Sequence, residues 1–66
     1  MIITTWEKEY GNHTAKAHVI TDDDGYHVET GDRRYDKSFK TYKGAAAYLE
    51  RFGYTEKSTT IYLSYM

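Results

Sequence analysis

The stretch that decides the fold is Lys37 to Tyr54, KSFKTYKGAAAYLERFGY. Thr41 suits a helix N-cap, because its side-chain oxygen can accept from an N–H group that the first turn leaves unpaired. An alanine-rich body follows, and Ala45, Tyr48 or Leu49, and Phe52 recur at spacings of three and four, lining one apolar stripe. Gly53 stands where a left-handed stop belongs and sets Tyr54 in position to close on Leu49. The stretch therefore predicts one helix over about residues 41–52. One feature runs against helix electrostatics. Lys37, Lys40 and Lys43 crowd the end where the dipole is positive and where anions are favoured. A local rule broken in this way marks a candidate functional site.

Upstream, the hydrophobic period changes from that of a helix to two. Ile2 to Tyr10 places Ile2, Thr4, Trp6 and Tyr10 on one face and Thr5, Glu7 and Glu9 on the other, which is the pattern of a half-buried strand. Gly11 and Asn12 end it. Thr14 to Thr21 alternates again, with Ala15, Ala17 and Val19 inward, Lys16 and His18 outward, and Ile20 on the solvent side. Asp22, Asp23, Asp24 and Gly25 read as a four-residue hairpin loop, which sets Val19 across from Val28. Tyr26 to Thr30 continues the inward set with Tyr26, Val28 and Thr30. Gly31 and Asp32 form a second turn, and Arg33 to Phe39 reads as a fourth short strand or extended arm anchored by Tyr35 and Phe39. Downstream, Thr59 to Met66 alternates Ile61, Leu63 and Tyr65 against Thr60, Tyr62 and Ser64 as a final strand.

The predicted order is β-β-β-(β)-α-β, an α+β fold in which one antiparallel sheet is covered on one face by one helix. Gly44, Ala45, Ala46 and Ala47 are small enough to let that helix sit close to the sheet. Residues 1–66 make a single compact domain, in a size range that buries only ~60 % of its unfolded surface. With no cysteine, neither a disulfide framework nor a thiolate metal site is available, so the core must be apolar and aromatic. Eight tyrosines, two phenylalanines and Trp6 supply it. No run approaches the ~20 apolar residues of a membrane-crossing helix, and Met1 leads directly into Ile2 and Ile3 with no signal-peptide pattern. The expectation is a complete small cytoplasmic reading frame with no membrane partner.

The net charge of −1 names no partner, but its distribution is bipolar. Residues 1–32 hold two lysines against seven acids, a net of −5. Residues 33–43 hold Arg33, Arg34, Lys37, Lys40 and Lys43 against Asp36, a net of +4, and residues 44–66 balance. The basic stretch is the main candidate site. Helix N–H groups after Thr41, with Lys37, Lys40 and Lys43 around them, suit phosphate oxygens. Arg33 and Arg34, interleaved with Tyr35 and Tyr42, add fork-shaped donors and flat faces that backbone phosphates and bases accept.

Other constellations are poorer. The run Asp22, Asp23, Asp24 lacks the spacing and terminal glutamate of a calcium loop, and His13, His18 and His27 have no metal-ligand spacing, so no metal and no cofactor is expected. His18 faces Glu29 across the hairpin. Ser38, Ser58 and Ser64 lie in no nucleophile elbow, and a chain this short rarely builds an enzyme pocket, so no enzymatic activity is expected. Ile20, His27 and Tyr62 fall on the solvent side of their strands and mark an uncovered sheet face. With exposed tyrosines, which favour protein interfaces, and the acidic hairpin Asp22, Asp23 and Asp24, that face offers an alternative: binding a host protein. Unprotected strand edges also make a homodimer a candidate.

The phrase SFKTYKGAAAYLERFGY resembles the F-K-T-x-K-x-A-x-x-[YFW]-L pattern at the strand-to-helix junction of arm-type DNA-binding domains of tyrosine recombinases from mobile elements. The resemblance covers about a quarter of the chain and rests on Phe39, Lys40, Thr41, Lys43, Ala45 or Ala46, and Leu49. The chain also looks like small uncharacterised reading frames of phages and integrated elements of Gram-positive bacteria. The recombinase resemblance implies a three-stranded sheet on one helix that enters the DNA major groove, with contacts from strand residues through Tyr35. This chain departs from that pattern in its acidic first three strands and in its added strand after Gly53.

Overall fold

Alternation in the first thirty residues produces three strands, β1 (Ile2–Tyr10), β2 (His13–Asp22) and β3 (Gly25–Thr30). A single 3-10 turn (Arg33–Tyr35), β4 (Lys37–Phe39), α1 (Tyr42–Arg51) and β5 (Thr55–Ile61) follow. This is the architecture of a computed structural model that describes residues 1–61. The strands form one antiparallel sheet in the order β4-β3-β2-β1-β5. β4 and β5 are opposite edges of the sheet, so the chain between them must cross a whole face, and α1 is that crossing. The fold is α+β, with one helix on one side of one sheet.

Register puts the inward residues of neighbouring strands in line. Trp6 pairs with Ala17, Thr4 with Val19, and Val19 with Val28. The core is Trp6, Ala17, Val19 and Val28 from the sheet with Ala45 and Leu49 from the helix, each at most 2 % exposed. Phe39, Tyr26, Tyr42, Ala46, Tyr48 and Tyr54 pack around it, half-buried. Ala45 and Leu49, four residues apart, lie on one helix face, as the apolar stripe requires. Thr4 is the one buried polar residue among those described, and its hydroxyl lies 3.4 Å from that of Thr59 on β5.

Both helix ends follow the local sequence. The Thr41 hydroxyl accepts from the Gly44 N–H at 3.1 Å. At the other end the Tyr54 N–H donates to the Leu49 carbonyl at 3.1 Å and the Gly53 N–H to that of Glu50 at 3.0 Å, with Gly53 at φ +89°. This is the paired closure that a left-handed residue after a helix permits. Phe52 is the C-cap and is 37 % exposed, so the buried stripe ends one turn earlier than the sequence predicts.

Three sequence expectations need correction. The turn between β2 and β3 is tighter than four residues: Asp22 pairs with Gly25, leaving Asp23 and Asp24 between, and the Asp24 N–H donates to Asp22 Oδ1 at 2.7 Å. Tyr10 shares the inward side of β1 but is 52 % exposed, because the helix stops short of it. The last strand begins at Thr55, four residues before Thr59, and Ile61 is 65 % exposed instead of facing the core. Its first residues, TEKST, carry no apolar alternation to read. A bulge shifts the register, with Thr5 opposite Ser58 but Trp6 opposite Glu56, so Lys57 has no partner residue on β1. The remainder of that predicted strand, including Tyr62, lies outside the described residues.

Candidate functional site

The five cations of residues 33–43 do not gather at the helix N-terminus; they spread along the helix. Arg33 and Arg34 sit in the 3-10 turn, whose Tyr35 ring packs edge-on against Phe52 at the helix C-cap, with centroids 5.4 Å apart. Lys40 and Lys43 flank Thr41 at the opposite end, an α-helical rise of about 15 Å away. Lys37, on β4, lies between. Its Nζ stands 5.6 Å above the Phe39 ring and 5.6 Å above the Tyr48 ring, a doubled cation–π contact that explains why a lysine is tolerated there.

Among the described residues, acids engage only one of these cations. Arg34 grips Asp32 through Nε and Nη2, the latter at 2.7 Å, and its guanidinium lies 5.8 Å from the Tyr35 ring centre. Asp32 also caps the 3-10 turn by accepting from the Arg34 N–H, and these side-chain and backbone bonds hold its carboxyl below the usual value. Asp36 accepts from the Thr30 N–H at 2.9 Å and forms no ion pair with the cations. Arg33, Lys40 and Lys43 are exposed, and their side chains make no hydrogen bond or ion pair to any described residue.

Beside this track lies a concave feature that sequence reasoning missed. A groove of about 450 Å³ opens between the C-terminal half of α1 and the sheet, walled by the rings of Tyr10, Tyr35, Tyr48, Phe52 and Tyr54 and floored by Leu49. Its size is that of ordinary ligand pockets, ~300–1,000 Å³. The rings brace one another: Tyr48 and Phe52 meet at 74° with centroids 5.1 Å apart, and the Tyr48 hydroxyl donates to the Tyr35 carbonyl at 2.9 Å. Lys8 forms one rim, with its Nζ 4.9 Å from the Tyr10 ring and 6.0 Å from that of Tyr54. Burial pushes the Tyr54 phenol up, with a smaller push from Tyr10. The only signal in the sequence was the number of tyrosines, more than a core this thin can bury.

A second polar cluster lies over the N-terminal half of the helix. The Tyr42 hydroxyl donates to Glu56 on β5, and burial, then Glu56, raises its ionisation above the ordinary phenol value against smaller opposing contributions from Thr4 and Trp6. The Trp6 indole nitrogen is buried without a hydrogen-bond partner among the described residues.

The face away from the helix is uncovered. Ile3, Ile20 and His27 stand in one cross-strand row and are half-exposed, and His18 lies opposite Glu29 as the hairpin pattern predicts. The acidic hairpin is partly committed to the fold. His27 Nε2 lies 3.1 Å from Asp22 Oδ1 and its Nδ1 2.7 Å from the Ser38 hydroxyl. The Asp24 N–H, then His27, lower the Asp22 carboxyl below its usual value. Asp23 and Asp24 are exposed at the tip, and Tyr62, expected to join this alternative protein-binding surface, lies outside the described residues. Among the described residues no three His, Asp or Glu side chains gather as a metal site, and no helix is long and apolar enough to cross a membrane. Compared with known proteins, the chain matches no family model, no curated protein and no solved structure.

Proposed function

We propose that this chain is a small, non-enzymatic binding module that holds nucleic acid through Arg33, Arg34, Lys37, Lys40 and Lys43, in keeping with its resemblance to arm-type DNA-binding domains. One observation carries the reading. The acids nearest these cations are engaged elsewhere or bind only Arg34, so Arg33, Lys40 and Lys43 are left without an acidic partner among the described residues. A row of cations along about 15 Å of helix is a length over which successive phosphates can be met. The Thr41 hydroxyl accepts from the Gly44 N–H and so orients the first turn, while its own O–H is left to donate to a phosphate oxygen.

The test is binding of labelled oligonucleotides across a salt series. Three or four phosphate contacts give a slope of log K against log salt of roughly −2 to −4, and Lys40→Glu and Lys43→Glu each make it shallower by about one. No binding at low salt, or binding unchanged by both substitutions, refutes the proposal. A second reading, a homodimer joined along β5, is favoured by one fact: every residue of Thr55–Ile61 is exposed on the sheet edge. Light scattering at two protein concentrations tests it.

A further inference from the structure

Resting on the nucleic-acid reading, we infer that the ligand is a single strand, and that its bases stack in the aromatic groove beneath the C-terminal half of α1 while its phosphates follow the cations beside it. The groove is lined by large rings that the fold leaves partly uncovered: Tyr10 is 52 %, Tyr35 41 % and Phe52 37 % exposed. In water such area is left open at a cost, and these rings are concentrated around one concavity instead of being scattered. Their edge-to-face contacts, at 61° for Tyr35 with Phe52 and 74° for Tyr48 with Phe52, fix their orientation before any ligand arrives, so little side-chain freedom is lost on stacking.

Charge selects the kind of partner. Lys8 lines the groove on the sheet side, and Arg34 and Lys37 contact rings of its helix-side wall. The one acid in the lining, Asp32, is already held by Arg34. Flat faces bordered by cations on both sides suit a polyanion whose planar groups are free to leave their own stack, which is the combination that single-strand binders use. A duplex offers its phosphates but keeps its bases stacked inside. Insertion of the uncovered sheet face into a duplex groove is opposed by its net negative charge, since the strand alternation puts Glu7, Glu9 and Glu29 on that side against Lys16.

The experiment compares fluorescein-labelled oligothymidine with a duplex of equal length, by anisotropy at low salt, on the full chain. The single strand is expected to bind at least tenfold more tightly. Tyr35→Leu and Phe52→Leu, with folding checked by circular dichroism, should each weaken single-strand binding roughly five- to a hundredfold while leaving the salt slope as it was. A measurement on the unaltered protein stands beside these variants: photo-crosslinking of an iodouracil-containing strand, with adducts expected on Tyr10, Tyr35, Tyr48, Phe52 or Tyr54. Duplex binding as tight as single-strand binding, ring variants that bind like wild type, or adducts confined to the uncovered sheet face overturns the inference and leaves the phosphate-binding proposal standing if the lysine variants still weaken binding. No binding to either ligand overturns both.

Discussion

Replacing single glycines by alanine separates the cost of backbone conformation from that of space. Gly53 ends α1 at φ +89°, a region where a Cβ crowds the neighbouring carbonyl at a cost of ~1–2 kcal/mol. The added carbon would stand 3.4 Å from Lys8 Cε, an ordinary contact with a flexible stem, so the backbone carries nearly all of the cost. Gly25 is more constrained. It has φ +129°, and a Cβ there would come within 2.8 Å of the Phe39 carbonyl oxygen on β4, which cannot retreat without disturbing the pairing of Tyr26 with Phe39. The backbone region costs ~1–3 kcal/mol and the clash a further ~1–3 kcal/mol. Gly31 is the control, since it does not have positive φ and a Cβ would meet nothing within 4 Å; alanine there changes stability little or adds ~0.4–1 kcal/mol. A domain of this size has ~3–10 kcal/mol in total, and each kcal/mol moves Tm by about 4–8 °C. Thermal unfolding followed by circular dichroism should therefore show Gly53→Ala melting about 5–15 °C below wild type, Gly25→Ala lower still, and Gly31→Ala at or above wild type. Gly25→Ala melting above Gly53→Ala, or Gly31→Ala falling as far as either, would refute the reasoning.

Three further outcomes follow from the same contacts. Thr41→Ala removes the acceptor of the Gly44 N–H and should cost ~0.5–2 kcal/mol, read as a lower midpoint in urea with an unchanged m value. The folded Tyr42 phenol ionises above its ordinary 10.0, so its contribution is whole below about pH 10 and is lost as pH rises through the folded value; Tyr42→Phe should flatten the alkaline fall of Tm. Asp22 and Asp32 both titrate below their ordinary 3.8, so what they contribute is present above that pH and disappears as pH falls through the folded values; Asp22→Asn with Asp32→Asn should give a shallower acid limb in a Tm series from pH 5 to 2.

Most of the fold was legible because the signals that set it are local. The period-2 runs fix three strands and which of their faces turn inward, since a one-residue slip from Val19 opposite Val28 would turn an apolar face to water. Thr41 and Gly53 bracket the helix through bonds made within a few residues of themselves. The start of β5 was illegible for the complementary reason: Thr55 to Thr60 has no apolar alternation, and only pairing with β1 makes it a strand. The candidate site was legible in part. The sequence showed five cations close together in the chain, and the structure spreads them along the helix, with Arg34 on Asp32 and Lys37 on two rings.

The stretch KSFKTYKGAAAYLERFGY by itself determined that there is one helix, where it starts and stops, and which side of it is apolar, because caps, spacing and propensity act within a turn or two. What the helix lies against, and what it leaves open, was a tertiary decision. β4 and β5 occupy opposite edges of the sheet, so a ten-residue helix must span the face between them, and it is too short to cover Tyr10 at the far end. The aromatic groove is that uncovered remainder. Its rings come from residues 10, 35, 48, 52 and 54; helical spacing connects Tyr48 with Phe52, and only the crossing of α1 brings these to Tyr10 and Tyr35.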